Sequence, residues 1–227
     1  MNSVELVIFD LAGTTVEDRG EVPDAFAAAL SSQGISVSPE QLRNVRGASK
    51  RQAILHFIPP GPEQAARAES VYASFREHLA RRYQSDGVRP VAGADTTFMS
   101  LRERGVRIAV NTGFDREMTA MLLDALGWGG EFFDAVVCGD DVPQGRPAPY
   151  LIFRAMESAG AGNVHKVANV GDTALDLLAG HNAGVKWNIG VLSGAHERAQ
   201  MEAAPHTHLL ASVAELSSFW DAHHEGL

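Results

Sequence analysis

Asp10 ends the apolar run "VELVIF" at residues 4–9, where a carboxylate is costly to bury unless something uses it. Three other apolar runs are followed by polar groups in the same way. These are Asn111, Thr112 and Gly113; Arg146 within "GRP"; and Asp172 with Asp176 within "GDTALD". If a helix starts at Thr173, the two aspartates lie on its first turn and point the same way. With Asp10 they form an oxygen-rich pocket that suits a hard cation, Mg²⁺ above all. Thr112 and Gly113 can bind a phosphoryl oxygen through a hydroxyl and the N–H groups of a helix start. Arg146 can supply charge to the same group. Each residue also has a plain alternative. Asp172 can be a helix cap and Asp176 a charge matched to the helix dipole. Thr112 and Gly113 can be a strand-to-helix turn, and Arg146 a solvated loop side chain.

The elements that must position these residues are legible as alternating patterns. Strands are expected at 4–9, 106–111, 133–138, 164–170 and 185–191, with a weaker one at 206–210. Helical spacing of apolar residues covers 95–104, 116–127, 147–160 and 173–183. Strands alternating with helices predict an α/β, Rossmann-like doubly wound parallel sheet, with ligands beyond the carboxyl ends of its strands. All four polar groups then converge on one edge. Residues 20–88 break the rhythm, because they contain helix signals and no convincing strand. Helices are expected at 23–34, 38–47, 49–57 and 62–84. Ser38 and Gln41 read as a capping box, and Ser49 with Gln52 as a second one. The predicted division is an α/β core of residues 1–18 and 91–227 with an all-helical insert at 19–90. Hinges are expected near 17–21 and 86–92, and "DAHHEGL" (221–227) as a frayed end.

The composition bounds the partners. The chain has 227 residues, 45% of them hydrophobic, and a net charge of −9, which disfavours non-specific nucleic-acid binding. The single cysteine, Cys138, lies in an apolar run and reads as a buried, inert thiol. No signal-peptide pattern is present, and no apolar run approaches the ~20 residues that span a bilayer. A cytoplasmic protein is expected, with neither nucleic acid nor membrane as a partner.

"DLAGTT", "NTGFDREM", "GRPAP" and "VGDTALDLLAGHNAG" resemble, in this order, the four motifs of the haloacid dehalogenase superfamily. The helical insert is similar to its C1 cap domain. The resemblance implies that Asp10 is a nucleophile forming an aspartyl-phosphate. It implies that Asp10, the Ala12 carbonyl and Asp172 hold Mg²⁺, with Asp176 beside them or acting through water. Thr112 and Arg146 would bind the phosphoryl group.

Ala12 departs from the usual pattern. Most phosphatases of the superfamily carry an acid–base aspartate there, a function typically worth 10²–10⁴-fold. Arg146 stands where many members have lysine. Both features, with "TGFDREM" and "DDVPQGRPAP", resemble the phosphonatase branch, the phosphonoacetaldehyde hydrolases. The implied reaction is cleavage of a carbon–phosphorus bond after a cap lysine forms a Schiff base with the substrate aldehyde. Lys50 is the matching lysine. At a helix start, near Arg46 and Arg51, its ammonium form is disfavoured; a surface lysine is the plain alternative. The family histidine three residues later is Ala53 here, and His56 lies one helical turn beyond it. Arg46 replaces a methionine and can meet a second anionic group of a 2-oxo-alkylphosphonate. The alternative function is a phosphomonoesterase that lacks the second aspartate. Related enzymes dimerise through their caps, for which the helix at 62–83 is available.

Overall fold

The computed structural model describes residues 4–223. Six parallel strands form one sheet: β1 (Leu6–Phe9), β2 (Arg107–Asn111), β3 (Ala135–Val137), β4 (Val167–Gly171), β5 (Trp187–Val191) and β6 (His208–Leu210). Their order is β3-β2-β1-β4-β5-β6, so the chain winds outward from β1 in both directions. β1 is paired on both sides, Phe9 with Val110 and with Val170, and its C-terminal end lies at the switch point of the sheet.

Strand alternation divides the core between two faces. Val7 and Phe9 join Phe98, Trp128 and Phe133 on one face, while Leu6 and Ile8 join Leu151, Ile152 and Ala155 on the other. The crossover helices are α5 (Ala94–Glu103), α6 (Arg116–Ala125), α7 (Tyr150–Ala159) and α8 (Ala174–Ala183).

Between β1 and α5 stand four helices: α1 (Glu21–Ser31), α2 (Pro39–Asn44), α3 (Lys50–Phe57) and α4 (Gln64–Asp86). They share a hydrophobic cluster of their own, built on Phe26, Leu30, Ile54, Val71, Phe75 and Leu79. Phe114, Met118 and Leu122 of the core complete it, so the helical layer is seated on the start of α6. The two linkers run side by side: Glu17 donates to the Arg89 carbonyl at 2.9 Å and Val91 to that of Thr15 at 2.8 Å. Both fall at or next to the expected hinges.

Several expectations need correction. The helix expected from Pro147 starts at Tyr150, with Pro149 as its N-cap; a proline disfavours helical geometry in the residue before it. Residues 164–166 form a 3₁₀ turn held by the Asn163 side chain, not the start of a strand. The capping box at Ser38 and Gln41 is formed, whereas Ser49 makes no side-chain cap bond. Two helices, α9 (Arg198–Glu202) and α10 (Leu216–His223), were not anticipated. The expected frayed end begins inside α10, and its remainder at 224–227 lies outside the described residues. Among the described residues no helix is long and apolar enough to cross a membrane.

Candidate active site

Asp10 is buried where β1 runs out. The chain then folds into a tight turn in which Thr14, Thr15 and Val16 all donate N–H bonds to the Leu11 carbonyl. Gly13 has φ +96°, and a Cβ there would stand 2.3 Å from Asp172 Oδ2. The glycine therefore lets the β1 turn and Asp172 touch. Asp172, fully buried, accepts from Thr14 Oγ1 at 3.0 Å and from the Ala195 N–H at 2.7 Å.

Arg146 lies among the carboxylates. Its Nη2 is 2.8 Å from Asp10 Oδ1, and its Nε is 2.8 Å from Asp176 Oδ1. Nη2 also donates to the carbonyl and side-chain oxygen of Asn111, and Nη1 to the Gly47 carbonyl at 3.1 Å. Thr173 is the N-cap of α8 and forms a reciprocal capping box with Asp176. Asp172 and Asp176 thus diverge instead of sharing one face: one turns to Thr14 and Ala195, the other to Arg146 and Thr173.

Burial pushes the Asp172 carboxyl up to about 7 and that of Asp10 up to about 6, each with repulsion from neighbouring carboxylates. Arg146 opposes the rise at Asp10. A divalent cation would relieve this crowding of buried negative charge. Asp10, Ala12 and Asp172 border one cavity, whereas Asp176 does not. Two carboxylates and a carbonyl, which leave coordination positions for water and substrate oxygens, are a donor set that suits Mg²⁺. Among the described residues, one trio of potential ligands lies within 4.8 Å of each other, Cys138, Asp140 and Asp141. There Asp141 is already engaged by the Cys138 N–H and by Arg116, and burial pushes the thiol up to about 11, in keeping with an inert cysteine.

Lys50, Arg46, Gly47, Thr112, Gly113 and Phe114 border the same cavity as Asp10 and Arg146. Lys50 is buried, with Nζ 4.9 Å from the centre of the Phe114 ring and 3.4 Å from the Ala48 carbonyl. Burial, reinforced by the charge of Arg46, lowers its amine to about 8. Arg46 is itself paired with Asp18, whose other oxygen accepts from the N–H groups of Gly20 and Val22. His56 is exposed, its ring against Phe57, and does not border the cavity. Thr112 Oγ1 accepts from the Phe114 N–H at 3.2 Å.

The helical layer also meets the core through backbone. The Lys50 N–H, the first orphan donor of α3, donates to the Gly113 carbonyl at 3.1 Å. Gly47 has φ +85°, and a Cβ there would stand 2.3 Å from Thr173 Oγ1. We expect Gly47→Ala to lower kcat/KM by about 10- to 100-fold through strain and a lifted cap. Steady-state kinetics, with circular dichroism to confirm folding, checks this.

Sequence reasoning passed over His196. Its buried ring lies between Ala174 and Arg43, and no motif or spacing marked it. Phe114 was equally unmarked beyond its place in "NTGFDREM".

Residues 7–189 match the sequence family described as haloacid dehalogenase-like hydrolase. The chain belongs to this family. It is a hydrolase-family member with alanine at position 12, two residues after Asp10. A phosphonoacetaldehyde hydrolase of Bacillus cereus is 31% identical over 214 residues, covering 86% of this chain and 78% of that protein. Among solved structures, a hydrolase from Pseudomonas syringae superposes with a TM-score of 0.86 at 22% identity, covering 98% and 99% of the two chains. A phosphonoacetaldehyde hydrolase-like protein from Oleispira antarctica gives 0.83 at 22% identity, covering 96% and 92%. The structural likenesses establish the haloacid dehalogenase fold.

Proposed function

We propose that this hydrolase cleaves the carbon–phosphorus bond of phosphonoacetaldehyde or a related 2-oxo-alkylphosphonate. The observation that carries the reading is a buried lysine with a lowered amine, Lys50, facing the cavity of Asp10 where the usual acid–base aspartate is absent. The likeness to phosphonoacetaldehyde hydrolases supports it.

Lys50 Nζ attacks the substrate carbonyl, and loss of water leaves a protonated imine. Asp10 attacks phosphorus from the β1 edge. The electron pair of the breaking C–P bond flows into the iminium, and carbon departs as an enamine. Water then hydrolyses the aspartyl-phosphate to phosphate, and the enamine returns to imine and is hydrolysed, freeing Lys50. No alkoxide leaves, so Ala12 costs nothing at that step. Arg146 aligns Asp10 and offsets charge, while Thr112 and Gly113 receive phosphoryl oxygens. Mg²⁺, held by Asp10, Asp172 and the Ala12 carbonyl, would neutralise the phosphonate and the nucleophile as they approach. Asp176 serves through Arg146 and water.

The cavity at Asp10 encloses about 20 Å³, room for little more than one or two waters. Substrate therefore enters by lifting the helical layer, for which we propose residues 19–90 as the moving cap and the linkers at 17–21 and 86–92 as its hinges.

Phosphate release from phosphonoacetaldehyde with Mg²⁺, compared with release from an aryl phosphate ester, tests the proposal. Preference for the ester would replace it with phosphomonoesterase activity.

The pH dependence has a definite sign. Below about 8 Lys50 is an ammonium and cannot attack, so imine formation rises with pH and levels off above that value. Arg46→Ala removes a charge that disfavours the ammonium, so the inflection moves to higher pH. The pH profile of imine trapping in both proteins measures this.

A further inference from the structure

We propose that His196 is a latch that holds the cap closed over the active-site end of α8. It is a positioning residue, and its action rests on cap closure, not on which substrate is cleaved.

The tautomer follows from the partners. The Ala174 N–H can only donate, so His196 Nδ1, 3.0 Å away, is the acceptor. The ring proton is then on Nε2, which donates to the Arg43 carbonyl at 3.2 Å. One buried ring thus spans two modules. Ala174 is the first residue of α8, directly after Asp172 and Thr173, and Arg43 lies in the last turn of α2. The ring's own backbone is fixed to the same place, because the His196 N–H donates to the Asp172 carbonyl at 3.3 Å and the preceding Ala195 N–H to its carboxylate. The base of the latch is therefore built into the loop that wraps Asp172.

Its reach is well placed for this role. Arg43 leads directly into the 46–50 segment, which carries Arg46, Gly47 and Lys50 into the cavity. Among the described residues, two other hydrogen bonds join this segment to the core, Lys50 N–H to Gly113 and Arg146 to the Gly47 carbonyl. Both come from the side of β2 and the Arg146 loop. His196 secures the opposite side, from the loop after β5. Without it the segment is pinned along one edge and can tilt, carrying the Lys50 amine away from Asp10.

Hydrogen exchange of the full chain, without substrate, tests the latch in wild type, His196→Ala and His196→Gln. The alanine variant is expected to exchange about 10-fold faster across residues 43–50, with β4 unchanged, as befits a lost hydrogen-bonded bridge. Glutamine offers one acceptor and one donor, and is expected to recover most of the protection. For whichever substrate the wild type turns over, kcat/KM is expected to fall about 10-fold in the alanine variant and to recover with glutamine. Unchanged exchange at 43–50, or equal acceleration in β4, overturns the latch. Because the exchange readout needs no substrate, it separates this inference from the C–P reading.

Discussion

Lys50→Arg is expected to lose at least about 10³-fold in phosphate release from phosphonoacetaldehyde, with the fold intact. Arginine keeps a positive charge in the pocket, so phosphonate attraction survives. What disappears is the free amine, because a guanidinium does not deprotonate at any working pH. The change therefore isolates covalent chemistry from electrostatics. Lys50 is buried against Phe114 with the Ala48 carbonyl at 3.4 Å, and among the described residues no carboxylate bonds its amine, so the substitution breaks no ion pair there. Kinetics at saturating substrate read the effect in kcat. Activity within 10-fold of wild type would mean that Lys50 is not the electrophile-forming group.

Asp10→Asn is expected to abolish phosphate release, by at least about 10⁴-fold, while sparing imine formation at Lys50. The amide is nearly isosteric and can still accept from Arg146, which is also held by Asp176, Asn111 and Gly47, so the arginine keeps its place. The nucleophile is lost and the aldehyde-capturing amine is retained. A trapped adduct without phosphate release is the signature of two separable steps. Loss of both together would place Asp10 in substrate binding and not in phosphorus transfer.

Much of this arrangement was written in local patterns. The parallel sheet was legible because each strand is a short apolar run and each crossover has helical spacing. The ends of those runs delivered Asp10, Thr112 and Asp172 to one edge, since parallel strands all point their carboxyl ends the same way. Arg146 was legible as a loop residue, but not its central position among Asp10, Asp176 and Asn111, which depends on how the loop packs. Ser49 carried a capping signal, but its side chain makes no cap bond, and the core hydrogen bond at this helix start, Lys50 N–H to the Gly113 carbonyl, depends on a residue 63 positions away. The parting of Asp172 from Asp176 was hidden for a related reason. Spacing places both near one helix turn, but the cap at Thr173 leaves one outside the helix and one within it. His196 carried no signal at all: its partners lie 22 and 153 residues away, and nothing in its own segment points to either.

The same contrast applies to Arg46. Its sequence position, just before Gly47, is read as meeting an anionic group of the substrate, and its side chain borders the cavity. Its bond to Asp18 joins residues 28 apart and ends in the linker after β1. An anionic substituent on the substrate would have to compete with Asp18, so the charge of Arg46 acts first on Lys50.

The account turns on whether Lys50 becomes covalently attached to the substrate. The direct measurement is borohydride reduction of the protein with phosphonoacetaldehyde and Mg²⁺, followed by intact mass and peptide mapping. The account predicts a single reduced adduct on Lys50, absent from Lys50→Arg and formed alongside phosphate in the unreduced sample. Phosphate released with no adduct on Lys50 would contradict it.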